Sequence, residues 1–256
     1  MRPDQLFELG GKVAIVTGGN GGLGLGMALG LAGAGANILV AARDAGKTAQ
    51  ALPSIQALGV QARGLSVDVA EEGDIERMVA EAVESFGRVD ILVNNAGIAV
   101  RKQPQDISVA EWDRVLDVNL RSVFLASKAV YPHMKAQGGG KIINIGSMFS
   151  LFGSDWVSPY AASKGGVVQL TKSLAVAWAG DNIQVNAILP GWFVTGLTES
   201  IPAQDPDRYN LISRRIPTGR WGRPEELQGA AVFLASAASD YVTGAVLTVD
   251  GGYAAK

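Results

Sequence analysis

The chain contains no cysteine among its 256 residues, so neither a disulfide nor a thiolate nucleophile is open to it. Its single histidine, His133, leaves no His/Cys cluster of the kind that holds zinc, and no metal site is expected. Excess charge is lacking as well. With 22 basic and 24 acidic residues the net charge is −2, without the basic surplus that a nucleic-acid partner requires. Redox chemistry must therefore come from a bound cofactor. Residues 1–9 include two acids and no continuous apolar core, which does not resemble a secretory signal and sets a cytoplasmic location as the expectation.

One stretch, from Val13 to Ala42, lacks charge altogether and is long enough for a membrane span. Its glycines argue otherwise: Gly18, Gly19, Gly21 and Gly22 suit a turn between a strand and a helix, not a lipid-embedded helix. No membrane association is expected.

Apolar residues, by contrast, make up 48% of the chain, enough for a substantial core. Short β-type runs at 13–17, 37–41, 62–66, 91–94, 141–145, 184–189 and 245–249 alternate with helix-length segments. That alternation predicts βαβ units and a doubly wound parallel α/β sheet, buried on both faces under helices. In one helical segment Ile75, Met78, Val79, Ala82, Val83 and Phe86 repeat at three-and-four spacing, opposite Glu76, Arg77, Glu81 and Glu84. No linker or repeat divides the chain, so residues 1–256 are expected to form one domain. The stretch 191–222 carries Pro202, Pro206 and Pro217 and no clear strand. Because it follows a strand end, where ligands collect in such sheets, it is expected to be a substrate lid, the alternative being a merely structural excursion.

After the first strand comes Gly18-Gly19-Asn20-Gly21-Gly22-Leu23-Gly24, then a helical run. Glycine lets backbone approach a pyrophosphate, and the helix N–H groups that follow attract the anion. Gly46-Lys47-Thr48 looks like the tail of a P-loop, but the upstream glycine that motif needs is Ala41, and no strand directly precedes it. The second strand ends Ala41-Ala42-Arg43, with Ala42 where a carboxylate would grip the ribose of NAD. A 2′-phosphate meets no repulsion there and Arg43 can bind it, which favours NADP(H) over NAD(H). A plain alternative is that Arg43 stacks on adenine.

At the other end of the predicted sheet, Tyr160-Ala161-Ala162-Ser163-Lys164 puts a phenol and an ammonium at i and i+4 on one helical face. A cation ~4 Å from a phenol of pKa ~10, at an effective dielectric of ~20, is worth ~4 kcal/mol, roughly three pKa units toward a usable acid/base. Ser147, after the fifth strand, can hydrogen-bond the reacting oxygen. Asn119 can anchor a water that links Lys164 to solvent.

The glycine turn, written Thr17-Gly18-x-x-x-Gly22-x-Gly24, together with Asn119, Ser147, Tyr160 and Lys164 in that order, resembles the short-chain dehydrogenase/reductase family. Pro190-Gly191-Trp192-Phe193-Val194-Thr195, the segments 216–222 and 233–236, and Val249-Asp250-Gly251-Gly252 extend the likeness over nearly the whole chain. The resemblance implies a Rossmann-like fold and a catalytic tetrad of Asn119, Ser147, Tyr160 and Lys164. It also implies that Asp68 and Val69 hold the adenine, that Asn95, Ala96 and Gly97 line the cofactor cleft, and that Thr195, following Pro190, Gly191 and Val194, contacts the nicotinamide carboxamide. It further implies a homotetramer, and within the family it looks most similar to the sugar and sugar-acid dehydrogenases, such as the 2-deoxy-gluconate 3-dehydrogenase, gluconate 5-dehydrogenase and glucose 1-dehydrogenase group. Many of those prefer NAD, which Ala42-Arg43 puts in question.

The expected substrate is a small secondary alcohol or ketone. Ser147, Met148, Trp156, Tyr160 and Trp192 would form its pocket, with an apolar content that suits a lipophilic ketone or 3-oxoacyl thioester as the alternative. Cations for a sugar acid are few: Arg214, Arg215, Lys102 and Arg101. A nucleotide-binding, redox-sensing module without turnover is the non-enzymatic alternative.

Overall fold

The computed structural model describes residues 2–196 and 198–256. Met1, at the start of the segment judged unlike a signal, and Leu197, inside the expected lid, lie outside the described residues. Seven strands form one sheet: β1 (Val13–Thr17), β2 (Asn37–Ala42), β3 (Ala62–Ser66), β4 (Ile91–Asn94), β5 (Gly140–Ile145), β6 (Ile183–Pro190) and β7 (Val246–Val249). Every strand pairing is parallel, in the order β3-β2-β1-β4-β5-β6-β7. All seven strands read from the sequence are present, each end within one residue of the expected one.

The helices are α1 (Gly22–Gly33), α2 (Ala45–Gln56), α3 (Glu72–Phe86), α4 (Val109–Leu116), α5 (Ser122–Ala136), α6 (Ser158–Trp178), α7 (Ile201–Gln204), α8 (Pro206–Arg215) and α9 (Gln228–Ala235). Strand alternation sorts β1 into two cores. Ala14 and Val16 pack with Met27 and Leu31 of α1 and Ala231 and Leu234 of α9. Ile15 faces the other way, toward Ile75 and Met78 of α3, Leu125 and Val130 of α5, and Leu174 of α6. Successive residues of a strand point to opposite faces, so a sheet covered on both sides reads as an unbroken apolar run. Trp178 stacks on Tyr131 at 4.8 Å.

Two strands depart from burial on both faces. In β3 three of five residues are exposed, and β7 is only partly covered. Both are edge strands, with one flank and part of a face left to solvent, as Arg63 in β3 and Thr248 in β7 reflect. Among the described residues no helix is long and apolar enough to cross a membrane, and the uncharged stretch divides into β1, α1 and β2.

The strand order reverses direction between β1 and β4, and that switch point opens a crevice at the carboxyl ends of the strands. Its two lips are stitched together. Thr17 Oγ1 accepts the N–H groups of Asn95 and Ala96 at 2.9 and 3.1 Å, and Asn95 Nδ2 donates to the Thr17 carbonyl at 2.9 Å.

Candidate active site

The glycine turn between β1 and α1 needs its glycines. Gly18 has φ +64° and Gly22 φ +52°, left-handed values that disfavour a side chain. A Cβ on Gly24 would run into the Gly18 carbonyl oxygen, so the first turn of α1 lies directly on the end of β1. The result is bare backbone ahead of the free N–H groups of α1, a cradle that fits a pyrophosphate. Leu23 turns its side chain into the α1 core. The Asn20 amide donates to the Asp44 carbonyl at 3.3 Å and to Thr48 Oγ1 at 3.1 Å, tying the turn to α2.

Arg43 follows β2 directly, is exposed, and its guanidinium makes no hydrogen bond or ion pair among the described residues. Ala42 beside it offers no carboxylate. Asp68, after β3, accepts from Arg114 at 3.0 Å and from the Ala70 N–H at 3.0 Å. Burial works to raise its pKa, but those hydrogen bonds and the charges of Arg114 and Arg43 outweigh it and hold the carboxyl below its usual range. Val69 is buried beside it. Further along the crevice, Pro190 closes β6 and Gly191 donates to the Val249 carbonyl. Val194 is 45% exposed, and Thr195 lies 3.6 Å from where a Gly22 Cβ would be, which brings the start of the 191–222 segment against the glycine turn.

The four residues expected to react converge beyond β4 and β5. Lys164, at 3% exposure, donates from Nζ to the Ile145 carbonyl at 2.7 Å, and burial lowers its pKa to about 8. Its Nζ sits 5.8 Å from the Tyr160 ring centroid. Asn119 is fully buried in a π-helical segment, Asp117–Arg121, between α4 and α5. Such wide turns commonly mark functional positions. Its Oδ1 accepts the Ile98 N–H and its Nδ2 donates to the Ile98 carbonyl, both at 2.8 Å, with Ser163 Oγ as a second acceptor at 3.1 Å. Both amide hydrogens are thereby used within the protein. A Cβ on Gly97 would sit 3.4 Å from Asn119 Oδ1 and 3.6 Å from Lys164 Nζ, so the three residues enclose one small space. Ser147 caps the short turn after β5, accepting the Phe149 N–H at 3.2 Å, and hydrogen-bonds Tyr160.

One electrostatic expectation is corrected. In the protein alone the Tyr160 phenol is pushed up, because burial outweighs the hydrogen bond with Ser147. Lys164 does not hold the phenol low from ~4 Å: its ammonium lies over the ring and spends a hydrogen bond on Ile145, and its own charge is disfavoured by burial.

The expected pocket residues separate. Met148 is 4% exposed and packs with Val168, Ala187 and Leu189, turned into the core. Trp192 and Tyr160 instead belong to a run of aromatic contacts, Tyr160–Phe149 at 6.2 Å, Phe149–Trp192 at 6.4 Å, Trp192–Trp221 at 5.3 Å and Trp221–Tyr209 at 5.1 Å. Trp156 carries Arg208 stacked at 4.5 Å, a partner the sequence reading overlooked. Nothing in residues 205–208 signals that contact, which depends on how α8 folds back. Of the cations weighed for a sugar acid, Lys102 is paired with Glu111 and Arg215 is wedged between Phe152 and Tyr253 at 4.9 and 4.2 Å. Arg101 makes no hydrogen bond or ion pair among the described residues.

Residues 18–254 match the family model described as enoyl-(acyl carrier protein) reductase. A 2-dehydro-3-deoxy-D-gluconate 5-dehydrogenase of Dickeya dadantii is 47% identical over 251 residues, 98% of each chain. Among solved structures, an Agrobacterium tumefaciens protein assigned as 2-deoxy-D-gluconate 3-dehydrogenase, with bound NADP, superposes at TM-score 0.91 with 45% identity, covering 98% of this chain and 99% of that one. A gluconate 5-dehydrogenase of Burkholderia cenocepacia in complex with NADP and tartrate gives TM-score 0.94 at 41% identity, over all of both chains. The chain belongs to the short-chain dehydrogenase/reductase family. It is an oxidoreductase with the family's Rossmann-like sheet.

Proposed function

We propose that the chain interconverts a secondary hydroxyl and a ketone on a sugar acid, using NADP(H), with Tyr160 as the general acid/base. The observation that carries this reading is the convergence of Tyr160, Ser147, Lys164 and Asn119 at the mouth of a crevice whose other end is a glycine cradle with an unpaired Arg43 beside it. The relatives named above, which act on deoxygluconates and gluconate by their names, support the substrate class, and the NADP in two of those structures supports the cofactor.

Gly18, Gly22 and Gly24 would hold the pyrophosphate and Arg43 the 2′-phosphate. Asp68 and Val69 would flank the adenine, Asn95 to Gly97 the middle of the cofactor, and Pro190, Gly191, Val194 and Thr195 the nicotinamide. When bound, the nicotinamide would accept or supply a hydride, the hydrogen of the reacting carbon together with its electron pair. The protein handles the proton. In reduction Tyr160 Oη donates it to the carbonyl oxygen; in oxidation the same oxygen receives it from the hydroxyl. Ser147 Oγ hydrogen-bonds the reacting oxygen and fixes its distance from Tyr160. Lys164, with a pKa of about 8, gives up its proton readily near neutrality and would resupply the one that Tyr160 donates. Asn119 and Gly97 hold the walls around Nζ.

Residues 1–256 form one catalytic domain in this reading, and the 191–222 segment is its lid, with Trp192 and Trp156 facing the substrate. A homotetramer would cover Trp112, Phe124 and Val176, which are apolar and exposed on α4, α5 and α6. A cytoplasmic location belongs with that reading. Absorbance-monitored turnover over a panel of aldonates, keto-aldonates, sugars and lipophilic ketones, with NAD(H) and NADP(H) in parallel, tests the proposal. Turnover of an aldonate with NADP(H) is the expected result; turnover confined to lipophilic ketones would discard the sugar-acid assignment.

A further inference from the structure

The Gly46-Lys47-Thr48 stretch, set aside as a P-loop, reappears at the cofactor end of the fold. Lys47 lies in the first turn of α2, yet its side chain runs back across the crevice lip. A Cβ on Gly21 would lie 2.7 Å from Lys47 Nζ and 2.8 Å from Cε. The ammonium thus occupies the room that a side chain at position 21 would need, over the glycine turn. Its Nζ makes no hydrogen bond or ion pair among the described residues.

The approach is built, not incidental. Asp44 caps α2 by accepting the Lys47 N–H at 2.9 Å, so the nearest carboxylate is turned to backbone. Thr48, buried at 3% exposure, donates to the Asp44 carbonyl at 2.8 Å and accepts from Asn20. Asn20 therefore clamps the glycine turn to the start of α2 at the very residue that adjoins Lys47. Arg43, the other unpaired cation, stands four residues earlier at the end of β2.

We propose that Lys47 is a second reader of the 2′-phosphate, acting with Arg43, and that Asn20 is a positioning residue that holds Lys47 over Gly21. This deepens, and rests on, the NADP(H) reading above. Two unpaired cations from different elements bracket the point where β1 and β2 end side by side, while the reacting residues lie beyond β4 and β5. A dianionic phosphate monoester meets two charge-assisted donors there; a ribose hydroxyl meets two cations it cannot neutralise.

Calorimetric titration of the intact protein with NADP+, NAD+, 2′,5′-ADP and ADP tests this without turnover. Lys47→Met is expected to weaken 2′,5′-ADP and NADP+ about tenfold, the loss of one charge-assisted hydrogen bond, with ADP and NAD+ nearly unchanged. Lys47→Arg should restore most of the loss. Asn20→Ala should move the same ratio in the same direction by a smaller factor. Equal weakening of ADP and 2′,5′-ADP by Lys47→Met would overturn the proposal, by assigning Lys47 to the pyrophosphate; so would no effect on either. Wild-type protein that binds ADP as tightly as 2′,5′-ADP would remove the NADP(H) reading itself, and this inference with it.

Discussion

The two ends of the 191–222 segment's neighbourhood are held by different physics. On the reacting side, polar side chains are bonded to backbone: Lys164 to the Ile145 carbonyl, Asn119 to both groups of Ile98, and Ser150 Oγ to the Lys164 carbonyl. On the side of α8, rings and guanidinium groups do the holding: Trp192 on Trp221, Trp221 against Tyr209, Arg208 on Trp156, and Arg215 between Phe152 and Tyr253. Hydrogen bonds to buried backbone fix direction, whereas stacking tolerates a range of angles. On the proposed function, the chemistry that needs a proton delivered to one atom belongs to the first region. On the same reading, recognition, which can be retuned by tilting a ring, belongs to the second.

The sharpest way to test that division is to remove the phenol. Tyr160→Phe should lower turnover by about 10³-fold, within the range of a lost general acid/base, while cofactor binding changes little. Steady-state kinetics beside a binding titration checks it, and near-native turnover would end the assignment of Tyr160. Ser147→Ala should cost about 10²-fold in kcat with little change in KM, since it removes a donor to the reacting oxygen. An effect confined to KM would move Ser147 into the recognition region.

The buried lysine adds a pH signature. Its pKa in the folded protein, about 8, lies below its ordinary 10.5, so between those values the unfolded chain binds more protons. Stability from this group is therefore absent below about pH 8 and accumulates as pH rises to about 10.5, by about 3 kcal/mol at most. Relative to Lys164→Met, the wild type should gain stability between pH 7.5 and 10 in denaturant titrations run at each pH; parallel curves would show that Lys164 is not desolvated. The smallest effect is expected on the stacked side. Arg215→Ala should raise KM severalfold with kcat unchanged, the loss of contacts worth about 1 kcal/mol. An equal fall in kcat would mean that α8 also sets the reacting geometry.

Much of the framework was legible in the sequence, for reasons that differ by element. The inner strands announce themselves because burial on both faces demands unbroken Val, Ile and Leu, as in 13–17 and 37–41. The glycine turn was legible because Gly18 and Gly24 occupy places that a side chain cannot share. Tyr160 and Lys164 were legible because four residues make about one helical turn. What stayed hidden depends on where a side chain goes after it leaves the backbone. Met148 follows Ser147 in sequence, yet turns into the core. Asn20 sits in the cofactor turn but bonds Asp44 and Thr48. Lys47 belongs to the next helix and reaches back to Gly21. The Tyr160 phenol was misjudged for a related reason: sequence spacing supplies the cation but not the desolvation that opposes it.

The run of rings from Tyr160 to Tyr209 also makes the protein its own optical gauge. Trp192 and Trp221, 5.3 Å apart, are close enough for their excited states to couple, and they join the reacting phenol to α8 through Phe149. Trp178, stacked on Tyr131 in the opposite core, supplies a steady background. Any tilt of α8 would change the paired signal and leave that of Trp178 alone, so the movement of this helix could be followed by near-ultraviolet circular dichroism without a label.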